Sequence, residues 1–174
     1  MTAPRNIRKV LIIVDVQSAF ITKRNEYVVG NIVALLKKVP YDLYVESIFH
    51  AEHGSLWDVQ TGWVCPKDKN FHTDTRILDA LKGKRAVHIE KETKSVFKGS
   101  KNLKKLLRER GIKEVHIVGY DSNDCVLATA FEAFDLGFFT YVIEGCVESS
   151  STKALHKNAI AILQHLSLTR SSSK

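Results

Sequence analysis

KVLIIVD, residues 9–15, sets five consecutive aliphatic side chains, Val10 to Val14, directly ahead of a carboxylate, Asp15. A run of that length without polar alternation is the pattern of a strand covered on both faces, as in a parallel sheet between helical layers. Working outward, DLYVESIF (42–49), AVHIEK (86–91), EVHIVG (114–119) and FFTYVIE (138–144) read as further strands. Segments of helical period separate them. VVGNIVALLKK (28–38) ends near Pro40. SKNLKKLLRERG (100–111) carries Leu103, Leu106 and Leu107 on one face and stops at Gly111. In the segment after Cys125, Val126, Leu127, Ala130, Phe131 and Phe134 recur at helical spacing before Gly137, and STKALHKNAIAILQHL (151–166) forms the last helix. A short helix is expected at TRILDALKG (75–83), inside a long polar and aromatic insertion between strands two and three. Insertions of that kind are more often functional than accidental.

Alternating strands and helices imply parallel strands joined by right-handed crossovers, hence a three-layer α/β/α sandwich. The 174 residues are expected to form a single domain, with a polar tail over 170–174. Hydrophobic residues make up 44% and charged residues 26%, which places the chain among globular proteins. No apolar run reaches the roughly 20 residues that span a bilayer, and MTAPRNIRK lacks a signal peptide's apolar segment, so the expected location is the cytoplasm, with no membrane partner. Three widely spaced cysteines, Cys65, Cys125 and Cys146, indicate neither a disulfide framework nor a metal clamp. The net charge of +7 invites a nucleic-acid reading, but the lysines are scattered over helical stretches that also carry acids. A solvated surface explains them better than a nucleic-acid partner.

In open α/β sheets, ligands bind beyond the carboxyl ends of the strands. Three reactive residues fall on that rim: Asp15 ends strand one, Lys91 ends strand three, and Cys125 follows strand four by one short turn. A thiol becomes a good nucleophile when its thiolate is stabilised. Ser122, Asn123 and Asp124 are N-cap residue types, which would put the sulfur at the positive end of a helix, and a neighbouring Lys91 ammonium would add to this. Asp15 could take the thiol proton and return it to a leaving amine. Backbone N–H groups at Asp121 and Cys125 are candidates for an oxyanion hole. Phe20, Trp57, Trp63, Phe97 and Tyr120 are candidates for an aromatic wall around a small planar substrate. Cys65 and Cys146 read as structural.

These blocks resemble the isochorismatase-like cysteine hydrolases. LIIVDVQSAF is similar to that family's aliphatic run followed by D-x-Q and Phe, with Asp15, Gln17 and Phe20; KETKSVFKGS to its K-x-x-x-S-x-F block, with Lys91, Ser95 and Phe97; and GYDSNDCV to its cysteine block. The resemblance implies a Rossmann-like, mostly parallel six-stranded sheet, a catalytic triad of Asp15, Lys91 and Cys125, a cis peptide at Tyr120–Asp121 and a homo-oligomer. It offers amides, ureido acids and vinyl ethers as substrates, and the thiol chemistry favours cleavage of a C–N bond through a thioester. The alternative is a small-molecule-binding or scaffolding member without turnover, motivated by Ala19 and by Tyr120–Asp121 in place of the usual residues. Metal-dependent nicotinamidases of the family carry D-x-H…H after strand two. Here Ser47 and Phe49 stand in that block, leaving His53, with His50, as half a metal site at most. No metal and no cofactor are expected.

Overall fold

In a computed structural model of the chain, which describes residues 7–67 and 72–171, the aliphatic run becomes the centre of a six-stranded parallel sheet. The strands are β1 (Lys9–Val14), β2 (Leu43–Phe49), β3 (Ala86–Lys91), β4 (Glu114–Gly119), β5 (Phe139–Val147) and β6 (Thr169–Ser171), in spatial order β3-β2-β1-β4-β5-β6. β1 pairs with β2 through Val10↔Leu43 to Val14↔Ser47, and with β4 through Lys9↔Glu114 to Val14↔Gly119. The chain grows first toward β3 and then crosses β1 to grow toward β6. The crevice at the carboxyl ends of β1 and β4 is therefore the topological switch point of the sheet.

Strand periodicity divides the core in two. Val10, Ile12 and Val14 face one layer, with Leu103 and Leu107 of α5 (Leu103–Glu109) and Val126, Ala130 and Ala133 of α6 (Cys125–Asp135). Leu11 and Ile13 face the other, with Val28, Ile32 and Leu36 of α1 (Tyr27–Lys38) and Ile77 of α3 (Thr75–Leu81). All five aliphatics of β1 are fully buried. The remaining helices are α2 (Leu56–Thr61), α4 (Val96–Gly99) and α7 (Lys153–His165). No helix among the described residues is long and apolar enough to cross a membrane.

One element departs from the sequence reading. Thr169–Ser171, taken partly as tail, forms β6 against Val142–Glu144. Three polar residues give no strand pattern of their own, and short polar segments are common at sheet edges. Residues 172–174 of the expected tail, and 68–71 of the insertion, lie outside the described residues.

β5 also carries an irregularity that positions the site. Ile117 pairs with Val142 but Gly119 pairs with Val147, so β5 holds more residues than β4 over the same span. The loop after β5 thereby comes level with the turn after β4. That approach is tight: Gly119 has φ +114°, and a Cβ there would stand 2.1 Å from the Val14 carbonyl oxygen. Gly119→Ala is expected to destabilise the protein by about 3 kcal/mol or more. Gly30→Ala, at an exposed position inside α1 with open space around it, should instead stabilise by about 0.5–1 kcal/mol. Urea unfolding midpoints of the two variants test the contrast, and an unshifted midpoint for Gly119→Ala would contradict the close approach.

Candidate active site

Asp15 follows the last residue of β1 and leaves strand geometry, with φ +50°. Aspartate tolerates this left-handed conformation better than most residues. Its N–H still bonds the Ser47 carbonyl at 3.0 Å, and Ser47 Oγ donates to Asp15 Oδ1 at 2.8 Å. Lys91, the last residue of β3, reaches across the end of β2 to the other carboxylate oxygen, Nζ to Oδ2 2.7 Å. Its remaining contacts are the Thr93 carbonyl at 2.9 Å and Cys125 Sγ at 3.5 Å, which uses all three ammonium N–H bonds. The ammonium also lies 5.0 Å from the centre of the Phe49 ring. Gly99 makes room for the lysine stem, since a Cβ there would sit 2.5 Å from Lys91 Cβ.

Cys125 is the first residue of α6 and is buried, as are Asp15 and Lys91. The three side chains from β1, β3 and α6 thus meet at the carboxyl edge of the sheet. Burial pushes the Cys125 thiol well above its ordinary value, and the Asp15 carboxylate adds to this; Lys91 pulls the other way without overcoming them. Burial also opposes the Lys91 charge, but Asp15 and Cys125 outweigh it and the ammonium is favoured. Both shifts act in the same sense, toward the ammonium at Lys91 and the thiol at Cys125. Stabilisation of the thiolate by the helix end and by Lys91, expected from sequence, is outweighed by desolvation. Asp124 occupies the N-cap position but makes no cap hydrogen bond; its carboxylate contacts Lys94 instead.

A cavity of about 230 Å³ opens onto the sulfur. One wall is aromatic. Trp63 lies 6.0 Å from each of Phe20, Phe49 and Trp57, and Phe49 and Trp57 meet edge to face at 5.1 Å. Gln17 fixes Phe49 at two points: its amide donates to the Phe49 carbonyl at 3.0 Å and accepts from the Phe49 N–H at 2.6 Å. Trp57 is held by its indole N–H on the Glu92 carbonyl at 3.2 Å. The cavity is also lined by Asp121, Asp124 and the loop residues Ser150 and Ser151. Asp121 accepts from Ser150 N–H at 2.6 Å and Ser150 Oγ at 2.7 Å. Burial and the neighbouring carboxylates Asp124 and Asp15 nonetheless raise its pKa, partly offset by the Ser150 bonds. Glu148 anchors this loop, with Tyr27 O–H at 3.1 Å and Arg24 and His156 each 3.4 Å away.

The peptide Tyr120–Asp121 is cis. Among the described residues, the N–H groups of Asp121 and Cys125 meet no backbone acceptor.

Two residues expected on the aromatic wall are not there. Tyr120 is fully buried, its hydroxyl donating to the Asn25 carbonyl at 2.8 Å, and Phe97 stacks on Phe138 at 6.1 Å in the opposite core layer. Both side chains turn inward from the rim. Phe49 takes a place on the wall that the sequence did not assign to it, because it reads as the last core residue of a strand. The contribution of Ser150 and Ser151 left no signal beyond a polar loop.

The residues that would hold a metal after β2 do not fit one. Ser47 is engaged with Asp15 and Phe49 is apolar; His50 pairs with Glu92 at 3.5 Å, and His53, largely exposed, with Asp58 at 3.5 Å. Among the described residues no group of three His, Cys, Asp or Glu side chains is placed to hold a metal ion.

The family model of the isochorismatase domain matches residues 9–173. No curated protein matches the chain. Among solved structures, the chain resembles the pyrazinamidase/nicotinamidase of Streptococcus mutans at 24% identity and a TM-score of 0.80, covering 94% of this chain and 99% of that one. It resembles N-carbamoylsarcosine amidase of Thermoplasma acidophilum at 20% identity and a TM-score of 0.80, covering 97% and 98%. A zinc complex of the Pyrococcus horikoshii pyrazinamidase matches at 22% identity and a TM-score of 0.76, covering 94% and 98%. At these identities the likeness shows the shared fold.

The opposed influences on the thiol give a signed test. Asp15→Asn removes the anion that competes with the thiolate for Lys91, so the pH midpoint of Cys125 alkylation by iodoacetamide should fall by about 1–2 units. Lys91→Met should raise it. A midpoint unmoved in Asp15→Asn would mean that the carboxylate and the sulfur are not coupled.

Proposed function

The chain belongs to the isochorismatase family, and from that premise we propose that it is a cysteine amidohydrolase cleaving the C–N bond of a small, non-peptide amide or ureide. The observation that carries this reading is the contact of Lys91 Nζ with both Asp15 Oδ2 at 2.7 Å and Cys125 Sγ at 3.5 Å, where Cys125 lines a cavity sized for a small molecule. About 230 Å³ corresponds to roughly eight water volumes, too little for a folded peptide segment.

Asp15 accepts the Cys125 proton as the sulfur attacks the substrate carbonyl, with Lys91 holding the developing thiolate. The negative charge passes to the carbonyl oxygen, within reach of the N–H groups of Asp121 and Cys125. Collapse of the tetrahedral adduct breaks the C–N bond, and Asp15 returns its proton to the departing amine. Water, deprotonated by the same carboxylate, then opens the thioester and frees the acid and the thiol. The aromatic wall holds the substrate plane beside the sulfur, and its contribution is orientation.

A turnover screen over amides, ureides and vinyl ethers, with Cys125→Ala as the blank, tests the assignment. Hydrolysis of at least one amide or ureide is expected, with a loss on the order of 10³-fold or more in Cys125→Ala. Undiminished turnover in that variant, or turnover confined to vinyl ethers, would remove the thioester mechanism.

A further inference from the structure

The charges bordering the cavity do not balance. Among the described residues its lining contains two carboxylates, Asp121 and Asp124, and no lysine, arginine or histidine. The cations nearby are already engaged. Lys91 gives its N–H bonds to Asp15, Thr93 and Cys125. Lys94 pairs with Asp124 and lies over the Trp57 ring, 4.4 Å from its centre. Arg24 is directed at the Ser149 carbonyl and at Glu148.

Asp15 is thus offset by Lys91 and Asp124 by Lys94, whereas Asp121 is held only by neutral donors, the N–H and hydroxyl of Ser150. A carboxylate has about four acceptor positions, and these two bonds leave the others open. Phe20, Phe49, Trp57 and Trp63 line the same cavity; Lys91 and Lys94 already lie against Phe49 and Trp57, which leaves Phe20 and Trp63 as the rings of this wall that take no cation from these lysines. A substrate bearing a carboxylate would meet like charge here, and no cation among the described lining residues would receive it. A substrate bearing a cation would gain a carboxylate and an aromatic face together.

We propose that the substrate of this site carries a cationic group, a primary ammonium or a guanidinium, at the end remote from the scissile bond, seated between the Asp121 carboxylate and the aromatic wall. This names the substrate class of the hydrolase read above and rests on that reading for its chemistry, though not for its binding. Asp121 then has two separate parts: its backbone N–H faces the reacting carbonyl, and its side chain selects the distal charge.

Binding can be measured without turnover, because the chain has two tryptophans and both, Trp57 and Trp63, belong to the cavity wall. Intrinsic fluorescence of the full chain would be titrated with 4-aminobutanamide, butanamide and succinamate, which present an ammonium, a methyl and a carboxylate on comparable amides. The ammonium compound is expected to bind about tenfold more tightly than succinamate, with butanamide between. The gap should shrink to about threefold or less in Asp121→Asn and persist in Asp124→Asn, whose carboxylate is already paired. Should Asp121→Asn fail to fold, Ser150→Ala, which keeps the carboxylate and loses one of its donors, must retain the preference.

Succinamate binding as tightly as 4-aminobutanamide, a gap unchanged in Asp121→Asn, a preference lost in Ser150→Ala, or no fluorescence change with any of the three would overturn the proposal. Release of ammonia separates this outcome from the enzymatic one. A preference for the ammonium compound, with no hydrolysis of any amide or ureide in the turnover screen, leaves the cation site standing and removes the hydrolase. Ammonia released chiefly from succinamate does the reverse.

Discussion

The ion pair between Lys91 and Asp15 is the constraint to which the rest of the structure answers. Both side chains are essentially excluded from solvent, and an isolated charge in such a place would cost several kcal/mol. The pair is tolerable because each partner is also hydrogen-bonded elsewhere, Asp15 by Ser47 and Lys91 by the Thr93 carbonyl and the cysteine sulfur. Those bonds require β1, β2 and β3 to end at one level, which the parallel registers Val14↔Ser47 and Phe49↔Lys91 provide. They also require Asp15 to turn out of its strand and Gly99 to stay small beside the lysine stem. Sheet register is therefore an element of the chemistry as well as of the fold.

In the proposed reaction, the same pair would let a buried, protonated cysteine act as the nucleophile. In the resting trio one negative and one positive charge are balanced beside a neutral thiol. Moving the thiol proton to Asp15 transfers the negative charge to sulfur, which is also in contact with the Lys91 ammonium, and the net charge of the trio is unchanged. In the proposed reaction, attack would then move that charge toward the backbone N–H groups of Asp121 and Cys125. No step places an uncompensated charge in the low-dielectric interior, where the penalty would be largest.

Much of this was readable from residue order. The unbroken aliphatics Val10 to Val14 announced a doubly covered strand, and their alternate side chains do divide the core into its two layers. The positions of Asp15, Lys91 and Cys125 at strand ends followed from the rule that open sheets bind ligands at that edge. The direction in which a side chain points after its strand ends was not readable. Tyr120 and Phe97 sit within the motif blocks yet turn into the core, while Phe49, which reads as interior strand, faces the cavity. The role of Ser150 depends on the extra residues of β5 opposite β4, and β6 on three polar residues finding a free edge. Such features come from pairing between distant segments, which local periodicity does not encode.

Ser47 and Phe49 bear on the electrostatics as a pair. A carboxylate at position 47 would place a second negative charge against Asp15 with no further cation to meet it, since the three N–H bonds of Lys91 are already used. It would also push the Cys125 thiol still higher, as Asp15 already does. A neutral hydroxyl supplies the hydrogen bond without that charge. At position 49 an apolar ring, rather than an imidazole, lies beneath the ammonium and gives it a favourable face without competing for its protons. The two residues therefore close the charge balance around the trio from within the chain. Among the described residues that line the cavity, that balance leaves Asp121 as the carboxylate without a cationic partner.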